Sequence, residues 1–146
     1  MEENPRLRLI GLDVGDKRIG VAISDPTCTI SSPLPAINRN TLEKDIKLVL
    51  DIAETHNART IVVGLPISLN GSIGPQAKKI KSFIKDLARS STIPIESQDE
   101  RFSTLEAERL LRESGHQPSR NRGLTDSASA AVILQSYIDS QGYPNI

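Results

Sequence analysis

The stretch from Arg6 to Asp25, RLRLIGLDVGDKRIGVAISD, constrains the fold of this chain more than any other. Leu7, Leu9, Ile10 and Leu12 form an apolar run without a helical period, which reads as a strand buried on both faces. The run ends on Asp13. A carboxylate at the inner end of a buried strand loses hydration, so it needs a hydrogen-bond partner, a cation or a shifted pKa. Val14-Gly15-Asp16 supplies turn chemistry, and Ile19, Val21 and Ile23 then alternate with Gly20, Ala22 and Ser24, the period-two pattern of a returning strand. The expected product is a hairpin that presents Asp13 near its turn. Asp13 has two local readings, a turn residue capping the Gly15 bend or a metal-binding carboxylate. The second requires more acids, because a hard divalent cation takes several oxygen ligands.

Beyond the hairpin, Ile30 to Asn38 contains Pro33 and Pro35 and is expected at a sheet edge, because proline cannot donate to a ladder. Asn40 and Glu43 have capping-box spacing for a helix running to about His56, with Leu42, Ile46, Val49, Leu50 and Ala53 apolar. Thr60 to Gly64 is a β-branched strand, and a Pro/Gly-punctuated loop leads from it to a helix starting at Pro75. That helix has Ala77, Ile80, Phe83, Ile84 and Leu87 on one face and Lys78, Lys79, Lys81 and Lys85 mostly opposite. Ile93 to Gln98 reads as a third core strand running into Asp99-Glu100-Arg101. A second capping box, Ser103 with Glu106, opens a helix to about Glu113. Gly115 to Gly123 is a polar, basic loop, and Asp126 begins a last helix over residues 127–140, whose alanines imply close approach to a sheet. His56 suits a helix C-terminus, and His116 reads as a solvated loop residue.

One chain of 146 residues fits a single domain, residues 1–146, with a core that needs no disulfide. Cys28 is the only cysteine, which excludes an internal disulfide framework and a cysteine zinc site and fits a cytoplasmic compartment. The N-terminus has no apolar signal segment, and no run approaches membrane-spanning length. Basic and acidic residues both number 18, which argues against a tight non-specific DNA binder and leaves local clusters as candidates for binding: Lys17 with Arg18, the row Lys78, Lys79, Lys81 and Lys85, and Arg120 with Arg122. Aromatic residues are 3% of the chain with no Trp, which excludes a base-stacking platform.

The element order is meander, helix, strand, helix, strand, helices. Right-handed crossovers then place the strands at Thr60 and Ile93 parallel to the first, away from the meander's edge. Asp13 and the Asp99-Glu100 pair would lie at the same end of adjacent parallel strands, with Asp126 opening a helix packed over them. Each acid alone has an ordinary explanation, as a turn, an ion pair with Arg101 or an N-cap. Together they make a cluster whose mutual repulsion, about 4 kcal/mol for two carboxylates about 4 Å apart at an effective dielectric of about 20, bound cations would offset. Oxygen-only ligands point to Mg²⁺ or Mn²⁺, and two such ions suit in-line phosphodiester displacement.

Four ordered motifs carry a resemblance: GLDVGDKRIGVA at 11–22, GLP with NGSIGPQA over 64–77, DERFST at 99–104 and TDSASAAVILQ at 125–135. The chain resembles, over nearly its whole length, the YqgF family of RNase H-like, Holliday-junction-resolvase-like proteins, described as pre-16S rRNA nucleases. The resemblance implies an α/β fold of the RNase H type, a mixed five-stranded sheet of antiparallel meander plus two parallel strands flanked by helices. It also implies Asp13, Glu100 and Asp126 as catalytic, metal-binding acids. Lys17, Arg18, Arg101, Arg120 and Arg122 are the expected substrate contacts. The late loop, SRNRGL, departs from the lysine-richer run usual in the family, so its charge rests on Arg120 and Arg122.

The expected function is a hydrolase, a metal-dependent endonuclease acting on structured RNA at the 5′ end of precursor 16S ribosomal RNA. The alternative enzyme is a resolvase of four-way DNA. A monomer would suit the first and a homodimer the second. A non-catalytic phosphate- or nucleotide-binding regulator is the third reading, because Asp13-x-Gly15 also resembles the first phosphate loop of actin-like and sugar-kinase ATPases. Those folds close two domains on ATP, which 146 residues do not provide.

Overall fold

The computed structural model describes residues 7–66, 71, 73–99 and 122–141, with side chains in the last range from Ser127 onward. Five strands form one sheet: β1 (Arg8–Val14), β2 (Arg18–Ser24), β3 (Ser31–Asn38), β4 (Ala58–Leu65) and β5 (Ile95–Asp99). The described helices are α1 (Leu42–Thr55), α2 (Pro75–Ser90) and α3 (Arg122–Gln141). The strand order is β3-β2-β1-β4-β5. β1 pairs antiparallel with β2 and parallel with β4, and β4 pairs parallel with β5. The mixed sheet expected from the sequence is therefore present.

Strand alternation divides β1 between two cores. Ile10, Leu12 and Val14 join Ile19, Val21, Ile61 and Val63 beneath α1 and α2, against Val49, Ile80, Phe83 and Leu87. Leu9 joins Ala22 and Val62 on the other face, beneath Ala130, Ile133, Leu134 and Tyr137 of α3. That helix approaches closely because β1 has no side chain where they cross. A Cβ on Gly11 would lie 2.7 Å from Leu134 Cβ and 3.0 Å from the Ala130 carbonyl oxygen.

Four expectations need correction. β5 is a partly exposed edge strand and not a core strand, because among the described residues only β4 pairs with it. β4 also separates it from β1, so Asp13 and Asp99 sit two strands apart and not on adjacent strands. At α1 the N-cap is Thr41, whose hydroxyl accepts from the Lys44 N–H at 3.2 Å, while Asn40 Oδ1 accepts from the Thr41 N–H. Asn40 is displaced from the cap because its own N–H donates to Asp45 Oδ1 at 2.8 Å. Finally, α3 begins at Arg122, so Asp126 lies inside the helix rather than at its cap, and Arg122 is in the first turn rather than in a loop. Gly123 and Thr125 are weak helix formers, which hid this extension from propensity. The helix expected over 103–113 lies outside the described residues.

Candidate active site

Asp13 sits in β1 directly opposite Gly20 of β2. On the other side Leu12 pairs with Val63, so the same register continued by one residue brings Gly64 level with Asp13. Both flanking positions are glycine, and all three belong to the face that α3 covers. The half-buried carboxylate thus occupies a gap in the side-chain layer, at the C-terminal end of β1.

α3 reaches that end because it runs antiparallel to β1. The Ser31 hydroxyl donates to the Ala131 carbonyl near the start of β1, and the Val21 N–H donates to the Ser127 hydroxyl at 3.1 Å near its end. Between them Ala130 and Leu134 lie over Gly11. From Gly11 to Asp13 the strand advances by roughly 6.6 Å, at about 3.3 Å per residue. From Ala130 back to position 126 the helix advances by about 6 Å, one turn on the same stripe. α3 therefore carries position 126, the neighbour of Ser127, towards the Asp13 end of β1. This is a placement of the chain, since the side chain of Asp126 lies outside the described set.

On β5 the register decides between neighbouring acids. Asp99 pairs with Leu65, which belongs to the core beneath α1 and α2, so Asp99 is on the opposite face from Asp13. Gln98 pairs with Gly64 and shares the face of Asp13. Two strand spacings, about 10 Å, separate the backbones of Asp13 and Gln98. Glu100, Arg101, Arg120 and His116 lie outside the described residues. Among the described residues no three His, Cys, Asp or Glu side chains are grouped as a metal site.

Lys17 is exposed in the β1–β2 turn, and Arg18 opens β2, half-buried and level with Asn38. The turn is closed by the Gly15 N–H donating to the Arg18 carbonyl at 2.9 Å, so Lys17 and Arg18 follow Asp13 at a fixed offset. Lys79 of α2 comes within 4.0 Å of Asp16 at the same turn, a contact between exposed groups that contributes little to stability.

Sequence reasoning missed the group that holds this turn. Arg39 Nε donates to Asp45 Oδ2 at 2.7 Å, Arg39 Nη1 donates to the Gly15 carbonyl at 2.7 Å, and the Arg39 N–H donates to the Lys17 carbonyl at 2.9 Å. The Asp45 side chain is fully buried. The guanidinium also lies 5.7 Å from the Phe83 ring centroid, within cation–π range. Arg39 and Phe83 line a cavity of about 400 Å³ with Gly15, Asp16, Gln76 and Lys79, on the sheet face opposite α3. Asp45 lies in the first turn of α1, and only the return of α1 over the hairpin gives it this role.

The mixed sheet and its covering helices form an RNase H-like fold. Thermus thermophilus RuvC, solved with a Holliday junction substrate, superposes with a TM-score of 0.61 at 12% identity, covering 94% of this chain and 97% of RuvC. The fowlpox virus resolvase, solved with Holliday junction DNA, gives a TM-score of 0.59 at 16% identity, with 92% and 98% covered. Residues 7–140 match the family model described as "RuvX: Holliday junction resolvase", and the chain belongs to that family. A relative from Caldanaerobacter subterraneus, named "Putative pre-16S rRNA nuclease", is 45% identical over 137 residues, covering 92% of this chain and 98% of its own. One of the same name from Desulforamulus reducens is 40% identical over 134 residues, with 92% and 98% covered. No helix among the described residues is long and apolar enough to cross a membrane.

Proposed function

We propose that this protein is a metal-dependent endonuclease that cleaves structured RNA in 5′-end processing of precursor 16S ribosomal RNA. The observation that carries the reading is Asp13 in its glycine-flanked gap, with α3 running to the same end of β1, in a chain of the RuvX family. The names of the relatives supply the substrate.

Asp13, Glu100 and Asp126 are the acids of the site in this reading. Asp99 is set aside because it shares the face of Leu65, opposite that of Asp13, which leaves its sequence neighbour Glu100 as the acid of this segment. The donor set is carboxylate oxygen throughout, which fits Mg²⁺ or Mn²⁺. Two such ions supply an activated water and stabilisation of the leaving oxygen. Asp13 and Asp126 hold their positions through the sheet register and the packing of α3. Glu100, next in sequence after Asp99, is the third acid of this reading. Lys17, Arg18, Arg101, Arg120 and Arg122 neutralise backbone phosphates and keep the scissile strand against the acids.

Resolution of four-way DNA is the second reading, favoured by the two resolvases that share the fold. Incubating the protein with precursor 16S RNA, a four-way junction and linear duplex DNA, with Mn²⁺ or with EDTA, separates the two. The first reading expects Mn²⁺-dependent cuts in the RNA that Asp13→Asn abolishes. Cleavage of the junction alone selects the second reading, and inertness towards all three substrates rejects both.

A further inference from the structure

We infer that Arg39, held by Asp45, is a positioning residue that sets the turn between β1 and β2 so that Lys17 and Arg18 meet the nucleic-acid backbone. The inference rests on the functional reading above for its substrate. Its structural basis is the convergence of one residue on a short turn. The Arg39 side chain holds the Gly15 carbonyl and its backbone N–H holds the Lys17 carbonyl, from the face opposite α3. Gly15 has no side chain with which to brace itself, because a Cβ there would lie 2.8 Å from the Arg18 carbonyl oxygen. The Gly15–Arg18 backbone bond closes the turn, and the Arg39 contacts brace it from outside.

The fork of the guanidinium is what makes this possible. Nε and Nη1 point at two different acceptors, Asp45 Oδ2 and the Gly15 carbonyl, both at 2.7 Å. A lysine carries the charge on one nitrogen and does not reproduce that geometry. Asp45 in turn is fixed by two bonds, one from Arg39 and one from the Asn40 N–H. Stability alone does not call for such a pair, because well-packed apolar residues often replace a buried ion pair without loss. What an apolar pair lacks is a donor for the Gly15 carbonyl, and that carbonyl lies two residues after Asp13 and two before Lys17.

The test uses the full chain and two fluorescent probes, a precursor 16S RNA fragment and a four-way DNA junction, with binding read by anisotropy in EDTA across a salt series. Arg39→Lys keeps the charge beside Asp45 and removes the fork. The double variant Arg39→Met with Asp45→Leu removes the buried pair entirely, and thermal melts establish that each variant is folded. Each folded clamp variant is expected to bind roughly tenfold more weakly, with a log–log salt slope smaller by about one unit or more. Introduced into Lys17→Ala with Arg18→Ala, the same change is expected to cost less than about twofold more, since the contacts it serves are gone. Clamp variants that bind like the wild type, or whose loss simply adds to that of Lys17 and Arg18, overturn the inference alone. A wild type that binds neither probe overturns the functional reading, and this inference with it. Should the double variant unfold, Arg39→Lys decides the matter.

Discussion

The backbone N–H of Val21 donates to the hydroxyl of Ser127 at 3.1 Å, a buried bond between residues 106 positions apart in sequence. It forms where the pairing of β2 with β3 shifts register, between Ile19 and Val21, so α3 supplies an acceptor at an irregularity of the sheet. Ser127 is also the residue after Asp126. Ser127→Ala should therefore cost about 1–3 kcal/mol by leaving the Val21 N–H buried and unsatisfied. Cleavage should fall further than the lost folded fraction accounts for, because the start of the helix over Asp13 loses its anchor. Denaturant melts and single-turnover cleavage at a temperature where the variant is fully folded check both parts.

The crossing of α3 over β1 makes Gly11 intolerant of any side chain. Gly11→Ala places a Cβ 2.7 Å from Leu134 Cβ and 3.0 Å from the Ala130 carbonyl, and one of those atoms belongs to backbone. Overpacking of this kind costs about 1–3 kcal/mol. Adding Leu134→Ala should not rescue the variant, since alanine retains the clashing Cβ. Melting curves for the single and double variants measure this directly, and recovery in the double variant would show that α3 is not seated as described.

Asp25 gives a pH dependence remote from the site, at the opposite end of β1 from Asp13. Burial pushes its carboxyl up, but hydrogen bonds from the Ile30 N–H, the Thr27 hydroxyl and the Thr29 and Thr27 N–H groups outweigh it and hold the pKa down at about 2, from 3.8. A depressed carboxyl stabilises the fold above its unfolded pKa, and that contribution is lost as pH falls from about 4 to about 2. Its size is on the order of 1–2 kcal/mol once solvent screening of a partly exposed loop is allowed for. Asp25→Asn should flatten that acid limb while leaving cleavage near neutral pH in place. Urea melts between pH 2 and 6 compare the two proteins.

Much of this architecture was legible in the residues because local and global signals agree. The branched run Leu9–Leu12, the alternation from Ile19 to Ser24 and the Pro75 helix start each appear where their chemistry predicted. β5 was misjudged because Ile93-Pro94-Ile95 looks like a core run, whereas burial depends on a neighbour beyond it, and among the described strands none lies there. The Arg39–Asp45 clamp has no periodicity or spacing to announce it, since it forms only when α1 folds back over the hairpin turn. The gap around Asp13 was half legible: Gly20 and Gly64 were visible as glycines, but their alignment with Asp13 is a matter of register between three strands.

Asp13→Asn separates a structural carboxylate from a catalytic one without knowledge of the substrate. A carboxylate that serves as a turn cap or a structural acceptor should cost about 1 kcal/mol or more when neutralised, because its hydrogen bonds weaken. Asp13 lies within β1, level with Gly20, and in the proposed site its charge opposes those of Glu100 and Asp126. Without metal that repulsion raises the energy of the folded state, and Asn should leave the protein as stable or stabilise it. With millimolar Mn²⁺ the wild type should gain stability by mass action and the variant much less. Cleavage should disappear in the same variant, as one of the acids that would hold the ions is lost. Thermal melts of the two proteins in EDTA and in Mn²⁺ supply the comparison. An apo variant that melts lower than the wild type but retains the full Mn²⁺ shift would make Asp13 a structural residue and remove the central acid of the proposed site.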